Sequence, residues 1–291
     1  MNKLTKNALR MAAIFIPLGF LLIIVGLFTG ARRGVYIESG KIVLDANKDY
    51  NYENYDISDV KNISVDISNA KIVLKESTTN NFGVVVNLTS MAEDPTVSVE
   101  NNTIKIEKNG KYGFNIFSWD FGSIFDGSSN EVVLYIPKGA LLNEVTLNTN
   151  NGRIEISDLN ANVLKADTSN GAITTDDVVI SSNTSLTTSN GEVDISGTFS
   201  DTTYVKTSNG KIIGDGTFKG KTTVKTSNGS ISFRNSIKRS DCNIITDTSN
   251  GSIRINDSKV GDDFKENNGA SNSIDLDTSN GGISINFEWF A

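Results

Sequence analysis

Asp176-Asp177, Asp194 and Asp215 are the side chains whose type and spacing could do covalent chemistry. They recur at similar phases of a repeating sequence, so they could line one face. Hydrolysis of a polysaccharide needs two carboxylates converging across a groove. Acids on solvent-facing strand positions are expected in any case, so this pattern alone assigns no catalytic residue. The rest of the catalytic repertoire is thin. There is no histidine, which removes the commonest general acid/base and the commonest nitrogen metal ligand. Cys242 is the only cysteine, so neither an intrachain disulfide nor a thiolate metal cluster can form. A lone thiol without a histidine to activate it suits a small buried filler. Residues 259–273 hold Asp262, Asp263 and Glu266 without the spacing of a calcium loop, and read as a protruding solvated loop. No cofactor or metal site is expected. A different chemistry, contact by exposed aromatic rings, is suggested by residues 111–126 (KYGFNIFSWDFGSIFD). Phe117, Trp119 and Phe121 are the candidates there for touching a glycan, a membrane or a protein. A flap over the open end of the core is the other reading of the same rings.

The elements that would position these groups come from a repeat. Thr149-Asn150-Asn151-Gly152 is followed by Thr-Ser-Asn-Gly ending at Asn170-Gly171, Asn190-Gly191, Asn209-Gly210, Asn228-Gly229, Asn250-Gly251 and Asn280-Gly281. Successive glycines are 19, 20, 19, 19, 22 and 30 residues apart. Apolar and β-branched residues alternate on both sides, with Ile154, Ile173, Val193, Ile212, Ile231, Ile253 and Ile283 two residues after each glycine. Period-two alternation predicts strands, and Asn-Gly predicts a turn that uses positive φ. Two architectures fit. In an antiparallel meander Asn-Gly is a hairpin loop; in a single-stranded β-solenoid it is a corner, and identical residues stack at the 4.7–4.8 Å strand spacing. The repetition of Thr and Ser before the Asn favours the solenoid, because a hairpin loop makes no demand on them. The longer last spacings mark insertions, and the terminal Phe287, Trp289 and Phe290 are expected to cap the last coil.

Residues 11–28 form an 18-residue uncharged apolar run, about 27 Å as a helix and enough to cross a bilayer core. A cleaved signal peptide is the rival reading; the length of the run and the Arg32-Arg33 that follows it favour an uncleaved anchor. The resulting layout is a short cytoplasmic tail (1–10), a transmembrane anchor (11–28), a linker (29–34), irregular β coils (35–147) and regular repeat coils with a C-terminal cap (148–291). The fold class is all-β: a β-solenoid-like repeat domain preceded by one transmembrane helix. Residues 1–33 carry five basic residues and no acid, which leaves 22 basic against 34 acidic residues in the remainder. Such a domain repels nucleic acid.

Val60-Lys61-Asn62-Ile63-Ser64-Val65, then Ile67-Ser68-Asn69-Ala70-Lys71-Ile72-Val73-Leu74, then 132–138 (VVLYIPK), then the Thr-Ser-Asn-Gly-x-Ile series occur in a fairly specific order. In that order they resemble a LiaG-like member of the bacterial putative-adhesin family, a β-strand-repeat domain of unknown function. The resemblance covers about residues 35–290. It implies a solenoid-like fold, an extracytoplasmic domain on a single-pass plasma-membrane anchor, and an association with envelope-stress operons. It transfers no site residue. The expected function is a non-enzymatic surface binding or structural module that meets a cell-wall polymer or envelope proteins. The alternatives are an accessory protein of an envelope-stress signalling complex and, behind it, a carbohydrate-active enzyme.

Overall fold

The computed structural model describes residues 60–79, 81–88, 95–108 and 130–287, the strands Val35–Glu38, Lys41–Leu44, Lys48–Tyr55 and Phe114–Phe117, and helical positions 6, 11, 13 and 15–17. Among the described residues no helix is long and apolar enough to cross a membrane. The expected anchor falls largely outside them. The chain divides into two compact units. One, made of Met1–Lys48, Thr89–Met91 and Lys111–Ser129, contains an antiparallel sheet with Val35–Glu38 between Lys41–Leu44 and Phe114–Phe117. Lys41–Leu44, within the span expected to form irregular coils, belongs instead to this antiparallel sheet.

The other unit holds the repeat. Each coil has a leading strand before the Thr-Ser-Asn-Gly corner and a trailing strand after it. Successive leading strands pair in parallel, so Leu147 faces Ala166, Ala166 faces Leu186, Leu186 faces Val205 and Val205 faces Val224. Trailing strands do the same, aligning Ile72, Ile154, Ile173, Val193, Ile212 and Ile231 in one column. Parallel pairing of consecutive copies excludes the meander, in which neighbours would run antiparallel. The alternating residues follow the pleat: Ile154, Ile173, Val193 and Ile212 are fully buried, and the residues between them face out. Within the trailing strands, Phe199 and Phe218 stack with centroids 5.1 Å apart, and Phe233 tilts against Phe218 at 4.6 Å. Gly214 leaves the room that the Phe233 ring fills, since a Cβ there would stand 2.3 Å from that ring.

Chain order and stack order part company near the end. Asn272–Thr278, the last copy, lies between Lys221–Thr226 and Cys242–Thr248. Ile283–Phe287 likewise lies between Ile231–Asn235 and Ile253–Ile255. Ile231 and Ile253 are therefore not neighbours; Ile283 separates them. Antiparallel strands lie on the far edges of the stack. Asp263–Glu266 covers Cys242–Thr248, and Ser258–Lys259 covers Ile253–Ile255. Segment 259–273 thus supplies the cap rather than a protruding loop, with Phe264 packed on the core. Phe287 is buried inside the stack, and Trp289 and Phe290 lie outside the described residues. Short charged antiparallel strands blunt an edge that would otherwise template further pairing. Toward the opposite end the pairing also turns antiparallel, with Pro95–Glu100 on Thr103–Lys108 and Phe82–Leu88 on Glu131–Ile136, and Lys48–Tyr55 pairs with Phe82–Leu88 beyond it.

Candidate functional site

The repeated corner is the most ordered chemical feature of the molecule. Its asparagines form one unbroken column along the outside. Nδ2 of Asn151 donates to Oδ1 of Asn69 at 2.6 Å, Asn170 to Asn151 at 2.7 Å, Asn190 to Asn170 at 2.8 Å and Asn209 to Asn190 at 2.9 Å. Asn228 continues to Asn209, Asn280 to Asn228 and Asn250 to Asn280, each at 2.9 Å. These asparagines are exposed. The column runs through the last copy in stack order, not chain order.

The threonine of each corner does not meet its own copy. It is buried and bridges two coils through the backbone. Thr188 Oγ1 donates to the Gly171 carbonyl at 2.9 Å and accepts from the Gly191 N–H at 3.2 Å. Thr168 does the same with Gly152 at 2.9 Å and Gly171 at 3.2 Å. The repeat glycines serve this approach, and none of them lies at positive φ. This corrects the expectation from Asn-Gly turn chemistry. A Cβ on Gly152 or Gly171 would sit 1.7 Å from the carbonyl oxygen of the coil beneath, on Gly191 or Gly210 1.8 Å, on Gly229 or Gly251 1.9 Å and on Gly281 2.0 Å. The left-handed positions fall at other corners, on Asp158, Asp177 and Asp201 at φ 54, 49 and 63. Aspartate is among the few residues that tolerate that region, which gives Asp177 a backbone role.

The remaining acids lie on the outer face of the trailing strands. Asp194 stands in register with Thr174 and Ile213. Burial lifts its carboxyl above the ordinary aspartate range; Glu192 adds to the rise, Lys211 opposes it, and Asp215 and Asp176 push it further. Asp215 accepts from Arg234 Nη1 at 3.1 Å on the next coil. The fold therefore brings Asp176, Asp194 and Asp215 to one sheet face, with Asp215 engaged by a cation and Asp177 at a corner. Cys242 is buried and its thiol is pushed up to about 11, by burial first and Asp241 second, which leaves it protonated and unreactive. Among the described residues no group of acids and thiol could hold a metal ion. Phe117 closes the strand Phe114–Phe117, while Trp119 and Phe121 lie outside the described residues.

The outer face of the leading strands carries a column of charge whose sign alternates in blocks. Asp167, Thr187, Lys206, Lys225, Asp277 and Asp247 follow one another in register. Lys225 pairs with Asp277 at 3.3 Å and Thr187 donates to Asp167. Lys206 and Lys221 flank Tyr204 on this face without an ion pair among the described residues. Sequence reasoning missed this surface because its members are far apart in the chain. The signal was there in principle: Lys206 and Lys225 are 19 residues apart, one repeat.

Comparison with known proteins adds the family dimension. A family model described as Toastrack DUF4097 matches residues 60–286. No curated protein matches. Among solved structures, a putative adhesin from Bacteroides fragilis is 13% identical at TM-score 0.45, covering 84% of this chain and 96% of that one. A putative lipid binding protein from Parabacteroides distasonis is 17% identical at TM-score 0.42, covering 87% and 98%. A putative cell adhesion protein from Clostridium sporogenes is 14% identical at TM-score 0.37, covering 84% and 100%. Likeness at this level carries no functional argument.

Proposed function

The chain belongs to the Toastrack DUF4097 family, and from that premise we propose that it is a non-enzymatic, adhesin-like binding or structural module of the bacterial envelope. The observation that supports this is where the repeat residues spend their hydrogen bonds. Thr and Asn of every corner bond to the neighbouring coil, and Gly lets the backbones touch, so the recurring chemistry is consumed in building a rigid carrier. What such a carrier offers is two long outer sheet faces, one of them bearing the Lys206, Tyr204, Lys221 and Lys225 surface. Contact with a polymer or protein through many weak, regularly spaced groups suits that geometry.

Within the family, the order of the 60–74, 132–138 and Thr-Ser-Asn-Gly stretches supports a LiaG-like assignment. The apolar run at 11–28 supports a single-pass plasma-membrane anchor with the repeat domain outside the cell. The direct test is binding of detergent-extracted full-length protein to purified cell-wall material. Saturable co-sedimentation that survives joint replacement of Asp176, Asp194 and Asp215 by asparagine is the expected result. No co-sedimentation would end the wall-binding form of the proposal, and glycan cleavage that disappears in the triple variant would replace it with an enzyme. Protease added to intact cells should release the repeat domain; full protection would refute the outward orientation.

A further inference from the structure

The coil that ends the chain does not end the stack. After Asn235 the chain skips one strand spacing and lays down Cys242–Thr248 and Ile253–Ile255. It caps their far edges with Ser258–Lys259 and Asp263–Glu266, then returns to fill the gap. Until that return, the gap is bounded on each face by two parallel strand edges with unpaired backbone groups. The cap already occupies the far edge, so the gap is the place left for one more coil.

The gap accepts a strand, a corner and a strand. Ile274, Leu276, Ile283, Ile285 and Phe287 are buried in it. Thr278 Oγ1 donates to the Gly229 carbonyl at 2.8 Å, and Asn280 joins the column between Asn228 and Asn250. None of these contacts depends on which chain supplies the coil. Its tie to the cap is residues 267–271, exposed except at Ala270. Gly269 in that tie has φ +63 and open space around it. The tie is held down by a polar latch on the surface. Asn268 N and Ala270 N donate to Asn243 Oδ1 at 2.9 and 3.3 Å, and Asn243 Nδ2 donates to the Ala270 carbonyl at 2.7 Å. Extending the tie breaks these bonds and those that Asn268 Nδ2 donates to the Arg239 and Cys242 carbonyls and to Glu266, and it leaves the strand pairing of the stack in place.

We propose that the gap is an acceptor for the terminal coil of a second copy, so that two chains exchange residues 272–287 across an extended 267–271 hinge. Reciprocal exchange remakes every contact of the terminal coil and closes as a two-fold dimer. The closed and exchanged forms differ only at the hinge and in their dependence on concentration. On a surface, exchange would join two stacks and double the outer face available to a multivalent partner.

Ser232 and Ser284 are register partners on the outer face. Adjacent strands lie about 4.8 Å apart, which a disulfide can span. In the full chain carrying S232C and S284C, the closed form cross-links within one chain and the exchanged form between two. Cys242 stays buried and does not compete. The protein is unfolded, refolded at two concentrations roughly 100-fold apart, oxidised and read on a non-reducing gel. A covalent dimer whose share rises with concentration is the expected result; an intrachain disulfide alone at both concentrations overturns the proposal. A second variant lacks residues 267–269. The remaining three residue steps reach at most about 11 Å, while Glu266 lies opposite Ile244 and Asn272 opposite Cys242, so the ends to be joined are two strand spacings across and two residues along, about 12 Å, with Cys242–Thr248 in the way. Light scattering should find this variant dimeric at every concentration, and a folded monomer would refute the exchange.

Discussion

Gly210 sits where an added Cβ would stand 1.8 Å from the Gly191 carbonyl oxygen. Gly210→Ala must push two coils apart, so chemical denaturation should show a loss of about 3 kcal/mol or more. Gly139→Ala, at φ +71 with open space around it, should cost only about 1–2 kcal/mol of backbone strain. Two threonines make a finer comparison. Thr188→Val strands the Gly191 N–H and the Gly171 carbonyl, at a cost of about 1–3 kcal/mol for each buried orphan. Thr203 is also fully buried, but its hydroxyl has no partner among the described residues, like those of its column neighbours Thr184 and Thr222. Thr203→Val should be neutral or stabilise by about 1 kcal/mol, since it removes an unpaired polar atom from the core. Equal losses at both sites would show that hydrogen bonding at the corner is not what threonine supplies. Asn209→Ala removes exposed bonds and should cost about 1 kcal/mol or less, below what an internal asparagine stack would lose. At this scale the residue types were legible because they recur, but their roles were not. One Thr-x-x-Gly spacing serves equally for a turn that needs positive φ and for two backbones in contact; only the approach of the next coil separates them.

Among elements, the terminal coil behaves as an interior strand pair. Hydrogen exchange should find the amides of Asn272–Thr278 as protected as those of Lys221–Thr226. The fastest opening should occur in Asp263–Glu266 and Pro95–Glu100, each at an end of its sheet. Terminal fraying centred on 272–287 would contradict the intercalated order. The repeat spacings of 22 and 30 residues marked insertions in the sequence. They did not say what the inserted residues do. Residues 259–273 read as a loop because Asp262, Asp263 and Glu266 are charged, and charge on a short edge strand looks the same as charge on a loop.

For the whole molecule, acid should act through a few carboxylates in opposite directions. Glu266 is held below the ordinary glutamate range, first by its hydrogen bond from Arg239, against the opposing pull of burial. Glu144 is lowered in the same way by Lys165. A lowered folded-state pKa contributes stability above the unfolded value, and that stability is lost as pH falls from about 4 downward. Glu266→Gln should therefore flatten the fall of Tm between about pH 5 and pH 3. Asp194 has the reverse sign: its raised carboxyl makes the ionised form a liability near neutrality, relieved as pH falls. Asp194→Asn should raise Tm at about pH 7 and leave it unchanged near pH 3; a gain at both would assign the effect to packing. The sequence by itself determined that this chain is built of repeated β units with a turn or corner at each Asn-Gly, because a 19–20-residue period runs through both polar and apolar residues; it favoured stacked coils, and the parallel pairing of consecutive copies decided for them against the meander. Tertiary structure alone decided which copies touch. Every coil presents nearly the same edge to every other, so local pattern cannot order them. The order follows from which edges the antiparallel caps close and which gap is left for residues 272–287.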